Sequence, residues 1–300
     1  MKQLLFIFLV VLTTVVIFSG CTKKDKTISV SSVVLSEAEI DLTTGEKQAI
    51  TAYISPSNAT DQTVTWASSN ASVATVSTGG EITAVALGSA IISASCGGKT
   101  GECTINVLAC KAIDLGLSVK WADRNIGAKS PEDYGDYFAW GEITSKSDYT
   151  WATYKLCNGA SNKLTKYNNN PDFGTVDNKS ILLQSDDVAH EKLGGKWRMP
   201  TWEEMEEMLE ETDWSETTVN GIKGFLVTSL KNRKSIFLPS AGGIEGTEFR
   251  FRNTNIYYWT SEVVPYNTIQ AFAYYTDEDG DRDFAMIPRH IGFPIRAVTK

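Results

Sequence analysis

From Ile28 to Leu108 the chain is a succession of short segments in which apolar and polar residues alternate: ISVSSVVLS, EIDLTT, QAITAYISP, VTWASS, VATVST, GEITAVAL, SAIISASC and ECTINVLA. A period of two sends successive side chains to opposite faces of an extended strand, so each segment offers one apolar face. Turn residues punctuate the series at Thr44-Gly45, Pro56-Ser57-Asn58, Gly79-Gly80 and Gly97-Gly98. Strands this short cannot bury an apolar face alone, so two sheets must close on each other. Residues 28–108 therefore read as an all-β sandwich. Trp66 is the only tryptophan in this stretch. Its alternating apolar neighbours place it in the core rather than on a ligand-stacking surface.

The stretch VTWASSNASVATVSTGGEITAVALGSAIISA carries the elements W-x-S-S-N, V-A-x-V and G-x-I-T-A-V-x-x-G. In these it resembles the bacterial immunoglobulin-like domain, group 2. The resemblance implies an immunoglobulin-like sandwich that serves surface proteins as a spacer or an adhesive unit. The fold by itself does not choose between those roles.

Beyond Cys110 the composition changes, and the other seven of the eight tryptophans lie there. AIDLGLSVKWADRNIGA, GDYFAWGE, GGKWRMPT, SIFLPSAGG, YYWTSE and IGFPIRAV are spread along residues 112–300. SVKWADRN and DYFAWGE read as short strands with aromatic anchors. SIFLPSAGG, YYWTSE, IQAFAYYT, RDFAMIP and GFPIRAV read as a run of late strands. DDVAHEKL and TWEEMEEMLEET are helix candidates, which makes the module α+β. Residues 155–180 are Asn-rich and aperiodic, a long loop of the kind that often carries function. From Asp114 to Val298 the set resembles the Fibrobacter-type major paralogous domain of surface lipoproteins in gut Bacteroidetes. That resemblance implies a C-type-lectin-like fold, shared with formylglycine-generating enzymes and retroelement-diversified binding proteins.

The chain opens MKQLLFIFLVVLTTVVIFSGC, with Lys2 ahead of an apolar run and Ser19-Gly20 before Cys21. This order predicts a signal peptide over residues 1–20. FSGC resembles the bacterial lipobox, with Phe18 in place of the usual small aliphatic residue. The resemblance implies cleavage before Cys21 and diacylation of its thiol. Each buried acyl methylene contributes about 0.8 kcal/mol, so more than one chain makes a stable anchor. Residues 21–27 would then be a lipidated polar tether. The expected location is the cell envelope, as an outer-membrane lipoprotein exposed at the surface. Net charge is -8, and removing the +1 of Lys2 with the signal gives -9. A phosphate-tracking surface needs a basic face, so nucleic acid is not an expected partner. The expected partners are a membrane, through the lipid, and a glycan or protein ligand.

An exported chain meets oxidising conditions, which permit cysteine pairing. Cys96, Cys103, Cys110 and Cys157 allow three connectivities. In ASCGGKTGECTI two strands flank a Gly-rich turn, which favours a Cys96–Cys103 disulfide. Cys110 and Cys157 are left open.

Six glutamates fall within residues 203–211. Thr201 and Glu204 have the spacing of a capping box, and Trp202, Met205, Met208 and Leu209 form an apolar helical stripe. A catalytic carboxylate pair needs one desolvated member. Neighbouring glutamates on a wet helix face do not supply one. The histidines are His190 and His290, neither placed beside a nucleophile, and no G-x-S-x-G occurs. The late cysteine pair of the formylglycine-generating relatives is missing. In TDEDGDRDF, Arg282 stands where a helical calcium loop needs Gly, so an acidic turn around Asp279-Gly280 is expected. No catalytic residue, metal site or cofactor is predicted.

The late region of C-type-lectin-like relatives often carries the ligand surface. Here that points to Arg250, Arg252, Asn253, Asn255, Tyr266, Asn267, Asp277, Asp279, Asp281 and Arg282. The expected function is non-catalytic recognition of a glycan or protein. A structural part in a surface fibre or envelope complex is the alternative, and an enzyme related to formylglycine-generating proteins is the weakest reading.

Overall fold

The computed structural model describes residues 26–276 and 281–300. The expected signal peptide, Cys21 with most of its tether, Asp277 and Asp279 lie outside the described residues.

The first module contains β1 (Ser32–Leu35), β2 (Glu39–Thr43), β3 (Lys47–Ala49), β4 (Ala52–Ser55), β5 (Thr65–Ser68), β6 (Ala74–Val76), β7 (Glu81–Ala84), β8 (Gly88–Cys96) and β9 (Lys99–Leu108). One sheet has the order β2-β9-β8-β5, and opposite it stand β3-β7-β6 and the pair β1-β4. β2 runs parallel to β9, from Glu39 opposite Thr104 to Thr43 opposite Leu108. The alternation read in the sequence becomes burial: Ile40, Leu42, Ile82, Ile92, Ile105 and Val107 fill the core. Each such side chain contributes roughly 1.5–3 kcal/mol. Trp66 is half-buried and packs against this core from its edge. Gly80 makes room for it. Gly80 holds φ +82°, and a Cβ there would stand 2.5 Å from the Ile50 carbonyl oxygen and 2.9 Å from the Trp66 ring.

The expected Cys96–Cys103 bond is corrected by the register of the hairpin. The Gly97-Gly98 turn sets Cys96 opposite Lys99 and Cys103 opposite Ile92. The two cysteines are thus four rungs apart, roughly 13 Å along the ladder. A disulfide needs Cα atoms within about 7 Å. Both thiols are free and packed into the core, and Cys110 and Cys157 are also free and buried.

The second module starts and ends in one small sheet. β10 (Ala112–Ile113), β11 (Lys120–Ala122) and β20 (Val298–Thr299) pair in the order β10-β11-β20, with Trp121 opposite Val298. Between them lie α1 (Val188–Leu193), α2 (Trp202–Glu210), β12 (Thr212–Val219), β13 (Ile222–Ser229), β14 (Ser235–Pro239), β15 (Gly243–Glu245), β16 (Glu248–Arg250), β17 (Tyr257–Val263), β18 (Gln270–Thr276) and β19 (Arg282–Pro288). They form the sheets β12-β13-β14, β15-β16 and β17-β18-β19.

Helix α2 begins as its sequence predicts. The Thr201 hydroxyl accepts from Glu204 N at 3.2 Å, and Glu204 Oε2 accepts from Thr201 N at 3.0 Å. Met205 and Met208 are buried. DYFAWGE is not a strand. It contributes one bridge, Phe138 to Phe293, because Gly135 and Gly141 adopt φ +71° and +75° and break the pleat. Its aromatic residues are anchors nonetheless: Trp140 Nε1 donates to the Thr260 carbonyl at 2.9 Å. In GFPIRAV only the last residue enters a strand, since Pro294 has no amide hydrogen to give. Arg296 there is fully buried and donates to Asn125, Ala122 and Phe237.

The modules are joined by polar contacts. Lys111 Nζ donates to Glu46 Oε1 at 2.7 Å, and Arg124 Nη2 donates to Thr43 Oγ1 at 3.1 Å. Thr43 and Arg124 are both buried.

Candidate functional site

Among the described residues, the late polar side chains do not converge on one surface. Arg250 is exposed and ion-paired with Glu248 at 2.9 Å. The Arg252 guanidinium sits 3.6 Å from the Phe249 ring centroid and 4.8 Å from that of Tyr134, and it donates to the Tyr137 hydroxyl. Arg252 is therefore spent as a cation between rings. The Tyr134 hydroxyl donates to Asn253 Oδ1. Asn255 is corrected as a ligand-facing residue: it is buried, and its Nδ2 donates to the Thr276 carbonyl at 2.7 Å. Asp281 and Arg282 stand at the start of β19, where Arg282 lies 5.4 Å from the Trp214 ring centroid. Tyr266 and Asn267 occupy the opposite end of the same sheet. Seven-residue β18 separates the two ends by roughly 20 Å.

That opposite end holds an open cleft of about 430 Å³, lined by Ile181, Trp202, Glu203, Glu262, Tyr266 and Phe272 among others. Its construction starts in β17. The pairing of β17 with β18 shifts register between Trp259 and Val263. Such a bulge re-aims a side chain. The long loop is stitched onto this irregular stretch, with Val263 N donating to the Ser180 carbonyl at 2.9 Å and Leu182 N to the Ser261 carbonyl at 2.9 Å. Ser261 N donates to the Pro200 carbonyl at 2.8 Å, which draws the strand to the start of α2. There Trp202 N donates to Glu262 Oε2 at 2.7 Å and fixes that carboxylate. The Trp202 ring leans on Phe284, with centroids 4.9 Å apart.

Tyr266 projects from the β17–β18 loop with 75% of its surface exposed. The loop is closed by Val264 N donating to Gln270 O, and by Asn267 Nδ2 donating to Gln270 Oε1 at 2.7 Å. Asn267 is thus a brace for the turn. Asn169 of the long loop also holds it, donating to the Pro265 carbonyl at 2.6 Å.

Partial burial pushes the Glu262 carboxyl up from the ordinary glutamate value, and the nearby charges of Glu203 and Glu204 push the same way. The Trp202 amide and, less strongly, the charge of Arg198 oppose them. Two other glutamates of α2 have structural work. Glu204 caps the helix and receives Arg198 Nη1 at 2.7 Å, and Glu207 accepts from the Ser118 amide at 3.0 Å. His290 is buried, packed at a tilt against Trp151 with centroids 4.7 Å apart, and burial lowers its pKa. Among the described residues no three His, Cys, Asp or Glu side chains are grouped to hold a metal ion. Glu262 and Phe272 were absent from the residues predicted for the site. The signal available was a lone charge inside the apolar run YYWTSEVV.

Residues 29–107 match the family model of the bacterial Ig-like domain (group 2). Among solved structures, the S-layer protein SbsC, domains 5-6, is 13% identical, with 86% of this chain and 96% of that chain covered and a TM-score of 0.25. The S-layer protein rSbsC(31-844) is 13% identical, with 69% of this chain and 23% of that chain covered and a TM-score of 0.24. This chain thus spans about a quarter of the length of that longer S-layer structure. No curated protein matches. The family match covers the first module, and likenesses at these TM-scores transfer no activity to the second.

Proposed function

We propose that this chain is a cell-envelope lipoprotein, anchored through Cys21, in which the immunoglobulin-like module carries a C-type-lectin-like recognition module of the Fibrobacter-type paralogous kind. Its cleft between Trp202 and Tyr266 contacts a glycan or protein ligand without chemical turnover. The observation that carries this reading is the pairing of an exposed aromatic ring, Tyr266, with a carboxylate already fixed by a backbone amide, Glu262. Aromatic surface with few oriented polar groups is the composition of a recognition patch. The immunoglobulin-like match over residues 29–107 supports display on a spacer.

An array of purified glycans and bacterial and host surface proteins, probed with the wild type and with Tyr266→Ala, tests the reading. Retained ligands that Tyr266→Ala loses are the expected result. No retained ligand, or ligands indifferent to Tyr266, overturns recognition through this cleft. Protease shaving of intact cells with lipid labelling tests the anchor, and an unlabelled, protected protein overturns surface display. The bonded junction of the modules favours a second reading, a structural element of an envelope complex. Co-purification of a stable partner chain distinguishes it.

A further inference from the structure

We infer that the Trp202–Tyr266 cleft seats an alkylammonium group, the side chain of a lysine on a partner protein, with Glu262 as its counter-ion. The inference rests on reading this cleft as the ligand surface and names the ligand's chemistry.

Charge complementarity comes first. The charged side chains that line the cleft are Glu203 and Glu262. The neighbouring cations make their hydrogen bonds elsewhere, and the charge of Arg198 reaches Glu262 only as the smallest of the influences on its carboxyl. Arg198 donates to Glu204 and to the Met199 carbonyl, and Lys179 pairs with Asp177. A carboxylate that burial and two neighbouring carboxylates make costly to ionise gains most from a cation brought beside it.

Hydrogen-bonding capacity comes second. Ionised carboxylates accept only, and an ammonium donates only. The cleft's other polar groups are partly spent: the Trp202 amide is given to Glu262, and the Tyr266 hydroxyl is given to Met286 Sδ. A neutral sugar needs donors as well as acceptors around its hydroxyls; the charged lining supplies none, which leaves the Ser180 hydroxyl and the Trp202 indole as the donors among the lining side chains. Trp202, Tyr266 and Phe272 bring three π systems to the walls. Ring faces attract a desolvated cation. Ile181, Val263 and Pro265 supply an apolar wall for four methylenes leading to the head group.

The test uses the purified full chain and Nα-acetyl-lysine amide, followed by NMR shift perturbation of tryptophan indole signals. Nα-acetyl-norleucine amide, Nα-acetyl-arginine amide and a methyl glycoside are the comparison arms. Saturable millimolar binding of the lysine amide is expected, tighter than all three by about tenfold. Glu262→Gln keeps an acceptor for the Trp202 amide and is expected to weaken that binding about tenfold. Tyr266→Ala, on an exposed loop, is expected to weaken it severalfold with an unchanged melting temperature. Norleucine amide or glycoside bound as tightly as lysine amide, an unchanged Glu262→Gln affinity, or no saturation overturns the inference. A preferred arginine amide overturns the assignment to lysine. Should Glu262→Gln fail to fold, the Tyr266→Ala affinity decides by itself. Neutral glycans captured through Tyr266 would keep the recognition reading and sink this one. An unanchored protein that still binds lysine amide would sink the lipoprotein assignment and keep this inference.

Discussion

Arg124 of the second module donates to the Thr43 hydroxyl of the first at 3.1 Å, with both residues buried. The guanidinium also holds Asp123 at 2.7 Å and the Lys129 carbonyl at 2.7 Å. One side chain therefore ties the last residue of β2 to the entry of the second module. Arg124→Ala leaves Asp123 with a poorly compensated charge, and stability is expected to fall by about 2–4 kcal/mol. Urea denaturation measures the loss. Small-angle scattering is expected to show a broader spread of inter-module distances for the variant.

Cys110 reports on the same joint. Burial and the charge of Asp123 push its thiol up to about 12. The nucleophile is the thiolate, so the native protein is expected to resist maleimide at pH 8 far more than unfolded protein does. Labelling kinetics followed by peptide mapping check this. Arg124→Ala removes a charge that lowers the thiol's pKa, but by opening the joint it is expected to accelerate modification at Cys110 while Cys103, inside the sandwich, stays protected.

Glu262 makes stability depend on pH with a definite sign. Its folded pKa lies above the unfolded value, so its contribution is complete below the ordinary glutamate range and is lost as pH rises through the folded pKa. Glu262→Gln has no such loss. The melting temperature of the variant relative to wild type is therefore expected to rise from acidic to neutral pH. A flat difference across that range would contradict the assignment.

Gly80→Ala is expected to destabilise the first module by more than about 2 kcal/mol. The new methyl meets the Ile50 carbonyl at 2.5 Å and the Trp66 ring at 2.9 Å, on a backbone at φ +82° that L residues avoid. Thermal denaturation followed by the Trp66 indole signal measures it. Gly79→Ala, whose methyl would meet only Ser77 Oγ at 3.9 Å, is the matched control.

The first module was legible because each of its strands buries one face, so burial is written directly into alternation. Helix α2 was legible for a comparable reason, since its cap and its apolar stripe are local. The β12–β13 hairpin escaped the strand assignments although Asn220-Gly221 marks its turn with φ values of 50° and 83°. Its Thr, Ser and Glu residues blur the alternation. The disulfide expectation failed on register, which a turn sets and composition does not. Tyr266 was singled out through the resemblance of the late region, but the cleft around it left no periodic signal in the sequence. Glu262 faces Trp202 only because a bulge turns β17 and because Ser180, eighty-three positions earlier, pairs with Val263. Contacts of that span leave no periodic trace.

The parallel pairing of β2 with β9 has a mechanical consequence. A pull applied between the chain before β2 and the chain beyond β9 draws these strands in opposite directions along their length. The rungs from Glu39–Thr104 to Thr43–Leu108 then share the load and must give way together. Peeled from one end, the same ladder would open one rung at a time. The module is thus built to resist traction applied along the line through its two ends.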